Sequence, residues 1–333
     1  MQQRIDPDAP EALREALSAR GWLPDGAMLT RVERAGEGNM NRVLRVRWRT
    51  PDGRTGSAIA KQSSPFVEKY PNIPAPPDRI LVEADFYRLA AAVPAIAEAM
   101  PELRAVDETA RLAWLEDLGE AADFTDCYAD RQLQQTELDA LLTWLSALHA
   151  LEVDPAAWPR LANRDMRALN HAHLFVIPLD PGSAPDVDAH CAGLQAVAAR
   201  FREDAALREA MLELGERYLA DGSNLLHGDF YPGSWLATAA GPRVIDPEFA
   251  FLGRAEFDIG VLRAHLAFVD SEDLSLDAYR APAGFDETLA RGFEGVELLR
   301  RLLGVAQLPL KADLATRDAW LEAGRAAVLG AVS

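Results

Sequence analysis

NLLHGDFYPGSWLATAAGPRVIDPEFAF, residues 224–251, is the one compact β signal in the C-terminal two-thirds of the chain. Two short apolar strands flank HGDFYPGS (227–234), and a turn at TAAGP (238–242) brings the chain back through VIDPEF (244–249). Asp229, in a loop between strands, is suited to accept a proton from a substrate hydroxyl. An Asp that merely caps a turn explains an isolated HGD. It does not explain a second acid, Asp246, ending an apolar strand one hairpin later, so the pair is read as chemistry. His227 is read as a packed, hydrogen-bonded residue.

The sequence around this hairpin is mostly helical, with helical spacing expected over 133–151, 186–203, 204–220, 256–269, 286–304 and 312–331. The N-terminal third reads differently. APEALREALSAR (9–20) is a short amphipathic helix ending at Gly21, and from 29 to 62 the period changes to two. Leu44, Val46 and Trp48 alternate with Arg45, Arg47 and Arg49 as a half-buried strand, and SAIAKQ (57–62) is the next. PNIPAPPD (71–78) is a loop, RILVEADFYRLAAAV (79–93) a helix, and 102–118 a hairpin running into a connector. The expected architecture is α+β, with a small β-rich N-lobe (1–118) and a larger, mainly helical C-lobe (119–333).

Composition narrows the function. The net charge of −18 argues against a nucleic-acid or anionic-membrane surface. No apolar run reaches the roughly 20 residues that span a bilayer, and the N-terminal stretch lacks a signal-peptide core, so a cytoplasmic protein is expected. Cys127 and Cys191 read as reduced thiols. Three lysines stand against 31 arginines, which singles out Lys61.

AGEGNMN (35–41) lies between two strands. Glycines there let a backbone approach phosphate and present N–H groups to it, although a G-x-G between strands is more often only a hairpin turn. Lys61 follows on the third strand and Glu83 on the next helix, where its carboxylate can hold that lysine. Taken singly, the lysine reads as an edge group and the glutamate as a surface acid; their order makes the joint reading stronger. His171 and His173 form an HxH that lacks a third ligand nearby in sequence. Asp258, in EFDIG, reads as an N-cap or as a buried acid steadying the HGD loop. His149 reads as structural.

The stretches GEGNMN (36–41), AKQSSPFV (60–67), WLEDL (114–118), HGDFYPGS, VIDPEFAFLGRAEFDIG (244–260) and LRRLLGVAQL (299–308) together resemble the aminoglycoside phosphotransferase and choline kinase superfamily. Within it they are most similar to the methylthioribose kinases, which share the glutamate of DPEF and the Gly-Ser ending of the HGD loop. The resemblance implies a protein-kinase-like two-lobe fold and ATP- and Mg²⁺-dependent phosphorylation of a small-molecule hydroxyl. Asp229 would then be the catalytic base, and Asp246, Glu248 and Ser234 would hold the metal. Gly36, Gly38, Asn39, Lys61 and Glu83 would serve the phosphates, and the backbone from Glu116 to Leu118 the adenine. Arg300 and Arg301 match a pair of adjacent arginines near the substrate in those kinases; the plain alternative is a basic helix face.

The chain departs from that pattern where substrate recognition would sit. KYPNIPAPPDR (69–79) has no tryptophan, and residues 254–256 are Arg-Ala-Glu. Phosphorylation of methylthioribose or another sugar-like substrate is therefore expected first, with an aminoglycoside or other amino-alcohol phosphotransferase as the alternative. From a different class, Ser234 in place of a metal-binding Asn suggests a nucleotide-binding pseudokinase; Glu248, a charged oxygen ligand two residues after Asp246, argues against it. A homodimer is expected only by analogy with those kinases.

Overall fold

The computed structural model describes residues 4–36, 40–269 and 274–332. The chain divides into two compact units, Met1–Ala121 and Ala122–Ser333.

The first unit is an antiparallel five-stranded sheet in the order β1-β2-β3-β5-β4, built from β1 (Met28–Arg34), β2 (Arg42–Arg49), β3 (Thr55–Gln62), β4 (Leu103–Asp107) and β5 (Leu112–Glu116). Its apolar face is set by the period-two pattern. Leu44 and Val46 of β2, Ala58 and Ala60 of β3, and Leu112 and Trp114 of β5 cluster with Leu13 and Leu17 of helix α1 (Pro10–Ala19). Trp114 lies between Trp22 and Trp48, at ring distances of 6.0 and 5.9 Å. The same alternation sends Lys61 to the opposite face from Ala58 and Ala60. Helix α2 (Arg79–Ala90) and the single turn α3 (Pro94–Ala97) connect β3 to β4.

The Pro-rich segment before α2 is irregular, as its composition requires, and Arg79 holds it. This buried side chain donates to the carbonyls of Ser64 (2.7 Å), Pro76 (2.8 Å) and Met40 (2.7 Å) and to the Asn41 Oδ1 (2.9 Å). Buried carbonyls left without donors are costly, so one guanidinium here does the work that a sheet ladder does elsewhere.

The second unit contains α4 (Gln135–His149), α5 (Arg164–His171), α6 (Leu194–Glu203), α7 (Ala205–Leu219), α8 (Glu256–Phe268), α9 (Glu287–Leu303) and α10 (Leu314–Ala331). Phe293, Val296, Leu299 and Leu302 of α9 join Phe257 and Val261 of α8 and Leu321 and Val328 of α10 in one core. Among these helices lie two small antiparallel pairs. β6 (Asn224–Leu226) pairs with β9 (Phe251–Gly253), and β7 (Trp235–Thr238) with β8 (Gly241–Val244). The β signal of 224–251 is thus a hairpin nested inside an outer pair.

Two segments differ from the periodic reading. The helix expected from 186 starts only at Leu194, because Gly193 adopts φ +87° and the Asp188 carboxylate accepts the Gln195 N–H (2.6 Å), making residues 186–193 a turn. Residues 159–179, where no element was expected, form α5 flanked by short and widened helical turns. Among the described residues no helix is long and apolar enough to cross a membrane.

Candidate active site

In the second unit, the segment 227–234 is fixed by its backbone. Gly228 has φ +83°, and a Cβ there would stand 2.1 Å from the Phe249 carbonyl oxygen, so both the conformation and the space demand glycine. The N–H groups of His227 and Gly228 donate to Asp258, at 2.7 and 3.0 Å. Asp258 is fully buried in the first turn of α8; it is the loop-steadying acid, and the N-cap position belongs to Ala255. His149 Nε2 donates to Asp258 (3.2 Å), and its Nδ1 accepts from the Tyr279 hydroxyl (2.7 Å). A carboxylate only accepts, which fixes that tautomer. His227 is packed as expected: Nε2 donates to the Ile245 carbonyl (2.9 Å), and Nδ1 accepts from the Asp229 N–H (3.3 Å). The Ser234 hydroxyl donates to the Asp229 carbonyl at 2.9 Å.

The Asp229 side chain faces two guanidinium groups. Arg301 Nη2 is 3.4 Å and Arg300 Nη1 3.7 Å from its Oδ1. Neither arginine lies on a solvated helix face; both are buried. Behind them sits Glu297, fully buried, accepting from Arg301 Nε (2.6 Å), Arg300 Nη1 (2.9 and 3.0 Å) and His265 Nε2 (3.0 Å). His265 Nδ1 in turn accepts from the Tyr128 hydroxyl (2.6 Å). Glu297, Arg300 and Arg301 share one face of α9 through i, i+3, i+4 spacing, and Arg301 lies 4.6 Å over the Tyr231 ring. The two negative and two positive charges balance, which a buried cluster requires.

Burial raises the Asp229 carboxyl above its ordinary value, and Arg300 and Arg301 pull it only partly back. Burial also pushes Glu297 up, but Arg300, Arg301 and the His265 bond outweigh it and hold the acid well below the carboxylate range. Burial pushes His265 down to about 4, against the opposing pull of Glu297. A histidine depressed in the folded state binds its proton more readily when unfolded. Its contribution to stability is therefore complete above pH 6.5 and is lost as pH falls from there to about 4, a loss of about 3 kcal/mol. Urea unfolding of the wild type and His265→Gln at pH 7, 6, 5 and 4 should show a shallower loss in the variant, by at most about 1.4 kcal/mol per pH unit. Equal slopes would contradict a neutral, buried His265.

The β7–β8 hairpin carries the chain from Ser234 back to Asp246, with Trp235 opposite Val244 and the Ile245 N–H donating to the Ser234 carbonyl (3.0 Å). Asp246 is left-handed (φ 61°, ψ 48°), a strained conformation for any residue but Gly, and strain of this kind concentrates at functional turns. The turn Pro247–Phe249 follows, with Glu248 buried. Among the described residues no three His, Cys, Asp or Glu side chains converge as a metal cage, the HxH pair included. Two carboxylates on one turn still suit Mg²⁺, which keeps waters and takes phosphate oxygens instead of filling an all-protein site.

In the first unit, Lys61 Nζ bonds both Glu83 oxygens, at 2.8 and 2.7 Å, with both side chains almost fully buried. A solvent-facing lysine and a surface acid are thereby excluded. Gly36 has φ +69°; Gly38 and Asn39 lie outside the described residues. Glu116 ends β5, its N–H donating to the Glu102 carbonyl (2.9 Å) and its carboxylate accepting the Glu102 N–H (3.1 Å). Among the described residues no hydrogen bond reaches the Leu118 backbone.

The residues that sequence reasoning missed are Glu297, His265, Tyr128 and Tyr279. Only Glu297 had a local signal, an acid three and four positions before the paired arginines on one helix. The departure at 254–256 also has a structural role: Glu256 accepts from Arg254 (3.0 Å) and from the Asp286 N–H (2.7 Å), anchoring the start of α9.

Residues 31–301 match the model of the phosphotransferase enzyme family. Methylthioribose kinase from Exiguobacterium sibiricum is 32% identical over 202 residues, covering 49% of this chain and 50% of that protein. The enzyme of the same name from Pectobacterium atrosepticum is 25% identical over 325 residues, covering 92% and 76%. The alignment thus spans half the length of the first of these relatives. A choline/ethanolamine kinase family protein from Mesorhizobium loti superposes with a TM-score of 0.51 at 18% identity, covering 96% of this chain and 98% of that one, a likeness of fold.

Proposed function

We propose, from the premise that the chain belongs to the phosphotransferase enzyme family, that it transfers the γ-phosphoryl of ATP to a hydroxyl of a small molecule. The fold is protein-kinase-like, a small antiparallel sheet followed by a mainly helical part. The observation that carries the proposal is Asp229: a carboxylate whose backbone is held by Asp258, His227 and Ser234 and whose side chain faces two buried guanidinium groups.

In this reading Asp229 orients the acceptor hydroxyl and takes its proton as the new O–P bond forms and the bond from the γ-phosphorus to ADP breaks. Lys61, kept charged and extended by Glu83, holds phosphate oxygens, and the Leu118 backbone receives the adenine edge. Asp246 and Glu248 hold a divalent cation, Mg²⁺ in our reading, which when bound neutralises phosphate charge. Ser234 spends its hydroxyl proton on the Asp229 carbonyl, so only its lone pairs remain for a metal. Glu248 supplies the stronger ligand. Arg300 and Arg301 meet the substrate, and the buried Arg300 Nε, without a hydrogen-bond partner among the described residues, leaves a donor for an acceptor oxygen. Guanidinium groups suit a polyhydroxyl substrate and repel a polycation, which favours methylthioribose or a related sugar over an aminoglycoside.

A coupled ADP-release assay with methylthioribose, other pentoses, aminoglycosides, choline and homoserine tests this. The sugar arm should release ADP well above the acceptor-free background. No stimulation by any acceptor, with nucleotide still bound, would replace the kinase with a nucleotide-binding module.

A further inference from the structure

The turn that carries Asp246 and Glu248 is held from outside by a residue far from it in sequence. Asn163, 8% exposed, precedes α5 in a left-handed conformation (φ 42°, ψ 41°). Its Nδ2 donates to the carbonyls of Glu248 (3.0 Å) and Ala250 (2.9 Å). Both neighbours are carbonyl oxygens, so the amide nitrogen and not the oxygen must face them. The residue between them, Phe249, turns its own carbonyl against Gly228, where a Cβ would stand 2.1 Å away. One amide group thus clamps both sides of the point where the carboxylate turn meets the loop of Asp229. A left-handed residue other than glycine costs about 1–2 kcal/mol, least for Asn and Asp, whose short polar side chains bond locally. Asp lacks the two N–H donors that this position uses.

We infer that Asn163 is a positioning residue for the divalent cation: its paired hydrogen bonds set the height of the Pro247–Ala250 turn and hence where the Glu248 carboxylate stands. The inference rests on the reading of Asp246 and Glu248 as the cation's ligands. Partners of this kind, which orient a ligand without touching the metal, typically govern 10–100-fold in metal affinity.

The test is Mn²⁺ titrated into the full chain with excess ADP, free Mn²⁺ being read by its EPR signal. Asn163→Gly keeps the left-handed backbone without strain and removes both donors; Asn163→Ser leaves one shorter donor. Asn163→Gly should weaken Mn²⁺ by at least about tenfold and Asn163→Ser by less. ADP affinity in EDTA and the melting temperature of the serine variant should stay near wild type. Wild-type Mn²⁺ affinity in either folded variant overturns the inference, and so does loss of the fold in both, which would make the clamp purely structural. If the wild type itself fails to bind Mn²⁺ with ADP, the assignment of Asp246 and Glu248 falls first, and this inference falls with it.

Discussion

Asp229→Asn should lower kcat by about 10²–10⁴-fold, the range that a positioned general base supplies, while nucleotide affinity stays within about twofold. The variant isolates the chemistry because the structural bonds of residue 229 come from its backbone: its N–H donates to His227 and its carbonyl accepts from Ser234. An amide of the same shape keeps both. It loses the acceptor for the hydroxyl proton and the negative charge facing Arg300 and Arg301, leaving Glu297 as their remaining counter-charge. Nucleotide binding by calorimetry and single-turnover transfer to the acceptor found by ADP release give the two readings. Turnover within about threefold of wild type would remove Asp229 from the base role.

Most of this site could be read from the sequence because its signals are local. The alternation of Leu44 and Val46 with Arg45 and Arg47 fixes a strand, and SAIAK places Lys61 opposite the alanines that pack on α1. HGD and VIDPE lie one hairpin apart, so ladder pairing alone brings Ser234 to Ile245, next to Asp246. The supporting groups could not be read in the same way. Tyr128 meets His265 across 137 positions and Asn163 meets Glu248 across 85, and contacts over such separations leave no period in either segment. His149 and His265 read as ordinary helix residues for the same reason: a buried histidine bonding a carboxylate has the same local sequence as one packed against leucines. The Arg300–Arg301 pair was legible in position only. That the pair is buried and tied to Glu297 depends on how α9 sits in its core.

Glu297→Gln should be the most damaging change outside the Asp229 loop. The carboxylate is fully buried and receives four hydrogen bonds from Arg300, Arg301 and His265. A glutamine of the same length has one acceptor oxygen for these donors, and its NH₂ group must turn toward a guanidinium or the imidazole. Breaking a buried ion pair by neutralising one partner leaves uncompensated charge and costs about 3–5 kcal/mol. Urea unfolding at pH 7 should show a loss of that size, and kcat should fall as well, because Arg301 reaches Asp229 from a guanidinium that Glu297 holds at its Nε. The pH dependence tests the cause. Arg300 and Arg301 hold the Glu297 carboxyl well below 4.5 in the folded state, so its stabilisation is complete above 4.5 and is lost as pH falls through that depressed value. The gap between wild type and variant should accordingly be constant from pH 7 to 5 and shrink only in stronger acid. Glu297→Asp, which keeps the charge one methylene short, should recover part of the stability and part of kcat together. A gap below about 1 kcal/mol at pH 7 would show that water, and not Glu297, balances the two arginines.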